Sequence, residues 1–268
     1  MPSINKSYEK VLRARGKQRP VASDCIAACI SDFIELHGDR GCKDDSAIIA
    51  GIGYLGQMPV TVIGIEKGHT TPEKIAHNFG AASPEGYRKA LRQMKLAEKF
   101  HRPVLCFVDT AGAYCGIEAE EHGQAEAIAR NLAEMMTLKT PIISVIIGEG
   151  GSGGAIGLAV ADEVWMFSGA YYSVVAPESC ANILWKDMSH ADEAAESLCL
   201  TADPLLELGI IDRKIEEPEN FLKQQVNDEF FNALRIGLYT TFEKLCSKST
   251  RELLDTRYEK FRRVGRYD

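Results

Sequence analysis

Five glycines crowd the eight residues Gly148-Glu149-Gly150-Gly151-Ser152-Gly153-Gly154-Ala155. Upstream, residues 141–147 (PIISVII) are rich in β-branched side chains and read as a buried strand. Downstream, residues 155–161 (AIGLAVA) are small and apolar and read as a short buried helix. A chain that leaves a strand, turns without side chains and enters a helix aims bare N–H groups at open space. The helix N-terminus adds a positive partial charge. Such a device binds an anion, or an oxygen that becomes one.

Three chemistries compete for this stretch. Gly148-x-Gly150-x-x-Gly153 matches a dinucleotide fingerprint. Gly150-x-Ser152-x-Gly154 matches the nucleophile elbow of α/β-hydrolases. The Gly153-Gly154 pair suffices for an oxyanion hole that needs no side chain. A purely structural alternative is a tight turn that allows close packing.

The dinucleotide reading wants an acid at the end of the next strand, but residues 164–167 run into Ser168-Gly169. The hydrolase reading wants an acid and then a histidine after Ser152, and only His190, three residues past Asp187, lies downstream. Glu118, Glu120, Glu121 and Glu149 flank the turns as conceivable general acids or bases, although carboxylates at helix starts commonly serve the helix dipole. The oxyanion reading asks for a second turn whose N–H groups converge on the same oxygen. Asp109-Thr110-Ala111-Gly112-Ala113-Tyr114, after the buried strand 103–108 (PVLCFV), supplies one.

These turns need elements to hold them. Residues 1 to about 37 read as amphipathic helix broken near Gly16 and Pro20, with a second piece over 23–36 that Gly38 stops. Residues 47–51, 54–55 and 59–65 read as strands separated by glycine turns, followed by a polar loop carrying Lys67. Residues 83–99 read as a strong helix and 118–138 as one long helix. Further strands fall at 164–167 and 171–175, and short helices at 191–197 and 204–208. One or two helices of alternating charge end the chain from Pro218 to about Arg262. The alternation predicts an α/β fold with ligand chemistry at the carboxyl ends of the strands.

At 268 residues, 45% apolar and 26% charged, with a net charge of −7, the chain has the balance of a soluble globular protein without a nucleic-acid footprint. No apolar run reaches membrane-spanning length, and the N-terminus has no signal-peptide core, so a cytoplasmic location is expected. The eight cysteines form no Cys-x-x-Cys pair. Cys25 and Cys29 sit four apart on a helix without two further ligands nearby, so no metal is expected, and the cysteines read as reduced core residues.

Longer segments carry a resemblance. They include Glu35-Leu36-His37-Gly38-Asp39-Arg40, Asp44-Asp45-Ser46, Ile63-Gly64-Ile65-Glu66-Lys67-Gly68, Ser83-Pro84-Glu85-Gly86-Tyr87-Arg88-Lys89-Ala90-Leu91-Arg92, Asp109 to Tyr114, Glu120-Glu121-His122-Gly123-Gln124, the glycine-rich stretch, and Ile183-Leu184-Trp185-Lys186-Asp187. From Arg19 to about Pro218 the sequence resembles the α subunit of bacterial acetyl-CoA carboxylase carboxyltransferase.

The resemblance implies a crotonase-like (ClpP/crotonase) fold: a ββα superhelix with flanking N- and C-terminal helices, as a single domain. Its parts would be an N-terminal helical segment 1–40, a core 41–217 and C-terminal helices 218–268. It implies carboxyl transfer from carboxybiotin, borne on a biotin carboxyl carrier protein, to acetyl-CoA, giving malonyl-CoA for fatty-acid synthesis. The partner would be a β subunit bearing a four-cysteine zinc ribbon, which this chain lacks, in an α2β2 heterotetramer. The residues implied are Gly153 and Gly154 as one wall of the oxyanion hole for the biotin enolate and Gly112 and Ala113 as the other. Gly150, Gly151 and Tyr114 would line the biotin site, and Ser152 would be structural. The chain departs from the family pattern at Ala111 and Cys115, where proline is expected, at Glu66, where glutamine is commoner, and at His122, where arginine is commoner. Two alternatives stand beside this reading: a non-catalytic paralogous subunit with a binding role, and a serine hydrolase using Ser152.

Overall fold

The computed structural model describes residues 6–218, 221 and 224–265. The remaining positions of the segments expected to be helical lie outside the described residues. The chain opens with α1 (Lys6–Ala14) and α2 (Ala22–Cys29), then β1 (Ser31–Glu35), β2 (Ile48–Leu55) and β3 (Met58–Ile65). Next come α3 (Thr71–Ala76), α4 (Pro84–Lys99), β4 (Val104–Thr110), α5 (Ile117–Glu121), α6 (Gln124–Thr137), β5 (Ile142–Gly151), α7 (Ser152–Ile156) and β6 (Glu163–Phe167). The last part holds β7 (Tyr171–Ser173), α8 (Pro177–Trp185), α9 (Ala191–Ser197), α10 (Ala202–Glu207), β8 (Arg213–Ile215), α11 (Gln224–Cys246) and α12 (Thr250–Arg263).

One sheet runs through the molecule in the order β1-β2-β3-β4-β5-β6-β8, and β7 pairs with the far end of β5. The first three strands are antiparallel, and every pairing from β3 onward is parallel. β4 and β5 are buried along their whole length, as parallel strands covered by helices on both faces must be. Both therefore deliver their carboxyl ends side by side, with Thr110 opposite Gly150.

Several elements differ from the sequence reading. The second N-terminal helix does not reach Leu36: it stops at Cys29, and residues 31–35 pair with β2 as an exposed edge strand. The period that suggested a helix face was carried by two short elements in succession. Gly51 and Gly53 are not turns but lie inside β2, where a Cβ at Gly51 would stand 2.2 Å from the carbonyl oxygen of Ile34, so glycine lets β1 close on β2. The turn is at Gly56, in the left-handed region at φ +62°. The long helix expected over 118–138 is broken at His122-Gly123, with Gly123 at φ +80°. The helix expected over 155–161 is a single turn beginning earlier, at Ser152. α3, α8 and β8 add elements to the sequence reading. Of the eight cysteines, Cys25, Cys29 and Cys106 are buried, whereas Cys42, Cys115, Cys199 and Cys246 are exposed, so core packing accounts for only part of the set.

A candidate oxyanion site at the ends of two strands

The turn after β4 is braced at both ends. Thr110 Oγ1 donates to the carbonyl of Gly112 (2.8 Å) and accepts from the Gly112 N–H (3.0 Å). The Tyr114 N–H donates to the carbonyl of Ala82 (3.0 Å), and the buried Gln124 amide donates to the carbonyls of Tyr114 and Ala82, each at 2.8 Å. Between them, the Ala113 N–H has no hydrogen-bond partner among the described residues. This corrects the expectation for Gly112: its N–H is taken by Thr110. The space where its side chain would stand has no atom within 4 Å, so Gly112 keeps the approach open.

The second turn abuts the first. α7 is one turn long, so the N–H groups of Gly153 and Gly154 have no carbonyl partner within the helix. A Cβ at Gly154 would stand 2.6 Å from the Ala113 nitrogen, which brings the two turns into contact. A Cβ at Gly153 would meet nothing closer than Ile128, at 3.8 Å. α7 is held in place by the buried Tyr87 hydroxyl, which donates to the carbonyl of Gly154 (3.0 Å), and by Asn131 on the carbonyl of Gly157 (3.2 Å).

The other glycines of the stretch lie within β5 and face protein. A Cβ at Gly148 would strike the Asp109 carboxylate at 2.5 Å, at Gly150 the carbonyl oxygen of Tyr171 at 2.9 Å, and at Gly151 the carbonyl oxygen of Ala111 at 2.1 Å. The lining role expected of Gly150 and Gly151 is thus replaced by close chain packing. Tyr114 is partly exposed, its ring folded over Gly116.

Beside these turns lies a cleft of about 220 Å³ whose lining includes Arg15, Lys67, Phe79, Asp109, Ala111 and Glu149. Lys67 Nζ bridges Asp109 (2.9 Å) and Glu149 (2.7 Å). Glu149 also accepts from Arg15 Nε (2.8 Å) and the Tyr171 hydroxyl (2.9 Å). Burial pushes the Glu149 carboxyl up, but Lys67, Arg15 and Tyr171 outweigh it and hold it down at about 2. Burial lowers the Lys67 ammonium, and Asp109 and Glu149 reverse this and raise it. Both groups are therefore charged at neutral pH, and Glu149 is no general acid. Glu66, at a departure from the family pattern, is buried and accepts from the N–H groups of Ser23 (2.8 Å) and Gly68 (2.7 Å), tying α2 to the Lys67 segment.

The family model described as acetyl co-enzyme A carboxylase carboxyltransferase-like matches residues 4–265. The acetyl-coenzyme A carboxylase carboxyl transferase subunit alpha of Ruminiclostridium cellulolyticum is 55% identical over 260 residues, 97% of this chain and 98% of that one. The chain belongs to the acetyl-CoA carboxylase carboxyltransferase α-subunit family. A protein of Natranaerobius thermophilus named as subunits beta/alpha is 52% identical over 97% of this chain and 43% of its own length, so there the matching part is about half of a longer chain.

Among solved structures, transcarboxylase 12S superposes with a TM-score of 0.68 at 17% identity, over 88% of this chain and 45% of that one. A Pseudomonas malonate decarboxylase hetero-tetramer chain gives 0.65 at 15%, over 80% and 85%. At such identities the likeness is one of fold, and the fold is the crotonase-like one expected from sequence.

In this carboxyltransferase α-subunit relative the other sequence motifs lose their chemistry. Ser152 is exposed and sits at φ +51°, the strained geometry of a nucleophile elbow, yet no histidine bonds it among the described residues. His190 instead bonds Glu193 (3.0 Å) and stacks on Trp185. Gly148 and Gly150 belong to a strand rather than to a phosphate-binding loop. Sequence reasoning missed the brace from Thr110 and the anchor from Tyr87. A hydroxyl at a strand's carboxyl end was the one available sign of the first, and the second depends wholly on packing between distant elements.

Proposed function

We propose that this chain is the biotin side of an acetyl-CoA carboxylase carboxyltransferase. The observation that carries the reading is the contact of two turns, one with the Ala113 N–H and the other with the N–H groups of Gly153 and Gly154, none with a hydrogen-bond partner among the described residues. The open space at Gly112 and Gly153 fits the approach of a flat ring. Bound carboxybiotin, presented by a biotin carboxyl carrier protein, would supply the carboxyl group and place developing negative charge on its ureido oxygen. Ala113 and Gly153 or Gly154 would donate to that oxygen from fixed positions. One such donor contributes about 3–4 kcal/mol to transition-state stabilisation. Lys67, locked between two carboxylates, would hold the neighbouring strand ends rigid instead of exchanging protons.

Acetyl-CoA would be held by a separate β subunit. The solvent-exposed apolar side chains Ile117 (82%), Val174 (78%), Ile183, Leu184 and Met188 would form part of the surface it covers, in an α2β2 assembly working in the cytoplasm. Support comes from the relative in which β and α parts share one chain.

The test is the reverse reaction, with malonyl-CoA and a soluble biotin derivative supplied and acetyl-CoA release followed. Activity is expected only when α and β chains are both present. Turnover by this chain alone would overturn the division of labour, and co-purification without activity would favour a binding-only subunit.

A further inference from the structure

We propose that Cys42, Glu85 and His122 form a binding site for a thiophilic divalent cation, with Zn2+ the best match. The three residues come from distant parts of the chain: the β1–β2 loop, the first turn of α4 and the break between α5 and α6. Their sulfur, oxygen and nitrogen ligand atoms all lie within 4.8 Å of one another. Tetrahedral zinc, with bonds of about 2.0–2.3 Å, sets its ligand atoms roughly 3.3–3.8 Å apart. Cys42 is exposed and can close that gap by a change of rotamer.

A single guanidinium organises the set. Arg88 Nε donates to Asp39 (2.9 Å), whose other carboxylate oxygen accepts from the N–H groups of Gly41 (2.8 Å) and Cys42 (2.7 Å). The remaining Arg88 nitrogens donate to the His122 carbonyl (2.9 Å) and to Glu85 Oε1 (3.0 Å). Such outer-shell bonds hold ligands in register.

Glu85 supplies an independent observation. Its side chain is 1% exposed, and while Oε1 is shared by Arg88 and His122 (2.6 Å), Oε2 has no hydrogen-bond partner among the described residues. A buried carboxylate oxygen without a partner is costly, and a bound cation would satisfy it. The nearby cations do not fill the role: Arg88 is committed to Oε1 and Asp39, and Lys43 pairs with Glu118. A thiolate, an imidazole and a carboxylate together select zinc or a related soft metal over calcium or magnesium. Three protein ligands leave the fourth position to solvent on the Cys42 side.

The experiment is a cobalt titration of the chelator-treated full chain, followed by zinc competition. One equivalent of Co2+ is expected to give a thiolate-to-metal charge-transfer band, which Zn2+ bleaches. Losing a direct ligand costs at least as much as losing an outer-shell partner, about 10- to 100-fold in affinity. Cys42→Ser should therefore abolish the band, and both Cys42→Ser and His122→Arg should weaken zinc at least that much. Cys199→Ser, at an exposed cysteine elsewhere, should bind like the parent. Zinc should also raise the melting temperature of the parent and not that of Cys42→Ser. Absence of the band in the parent, or its persistence in Cys42→Ser, would overturn the site. None of these readouts depends on carboxyl transfer.

Discussion

Gly153 and Gly154 differ in a way their identical side chains conceal. A side chain at 153 would project into space whose nearest atom is 3.8 Å away, whereas one at 154 would fall on the Ala113 nitrogen. Gly153→Val is therefore expected to fold normally and to lose carboxyl transfer by at least about 100-fold, the scale of losing one oxyanion donor. Circular dichroism and the two-subunit assay check the two halves of that statement, and wild-type activity would remove Gly153 from the site. Ser152 sits in the left-handed region with an exposed hydroxyl. Ser152→Ala should retain most activity, and a complete loss would revive nucleophilic chemistry. At this scale the sequence singles out the glycines by their bare backbone, and the variants above test that choice. It could not tell the Gly112 N–H, bound by Thr110, from the free Ala113 N–H, because both have the same sequence context.

The elements of the site are joined by charge as well as by packing. Glu149 on β5 links α1 through Arg15, the segment after β3 through Lys67, and β7 through Tyr171. Its carboxyl is held at about 2 against an ordinary 4.5, so its pairing stabilises the fold fully above about pH 4.5. That contribution is lost as the pH falls toward 2, where the carboxylate gains a proton. Glu149→Gln removes one of two carboxylate partners from Lys67, which keeps Asp109, and from Arg15, which keeps Glu178, and should cost about 3 kcal/mol at pH 7, the scale of a carboxyl held from 4.5 down to about 2. The gap from the parent should close on acidification through that window, as read by urea denaturation at stepped pH. A constant gap would show that packing, not charge, is at stake. Thr110→Val removes the brace on the β4 turn; it should lower kcat of the two-subunit enzyme with little change in KM for the acyl-CoA, because it loosens a donor without touching that substrate. The helix over 83–99 was legible from its sustained periodicity and the strands over 103–108 and 141–147 from their continuous apolar runs, whereas residues 148–151, read as a turn, extend β5. The break at Gly123 and strand β1 were not, since each depends on partners far away in the chain.

At the scale of the whole molecule, the C-terminal helices pack on the core through Phe231, Leu234, Leu238, Phe242 and Leu253, and one buried charge ties α12 down. Arg257 on α12 is fully buried, pairs with Asp162 (2.6 Å) and donates to the carbonyls of Met135, Leu138 and Thr140. Arg257→Ala takes the cation from buried Asp162, which keeps the Ile142 N–H, and a donor from three carbonyls, and should destabilise the chain by about 3–5 kcal/mol, measured by chemical denaturation. On the opposite side of the stability question, Leu184→Asp on exposed α8 should leave the melting temperature unchanged and abolish co-purification with the β subunit. Retained binding would move the docking surface elsewhere. Among the described residues no helix is long and apolar enough to cross a membrane.

Sequence alone determined the α/β class and the paired strand–turn–helix units with their glycine-rich turns, because strand burial and glycine's missing Cβ are local properties. The family followed from many short segments read together. Tertiary structure decided the rest: which N–H groups remain free, that Gly154 abuts Ala113, that Lys67 lies between Asp109 and Glu149, and that Cys42, Glu85 and His122 meet. The last three are contacts between residues at least 37 positions apart, and no periodicity or spacing along a chain encodes such a distance.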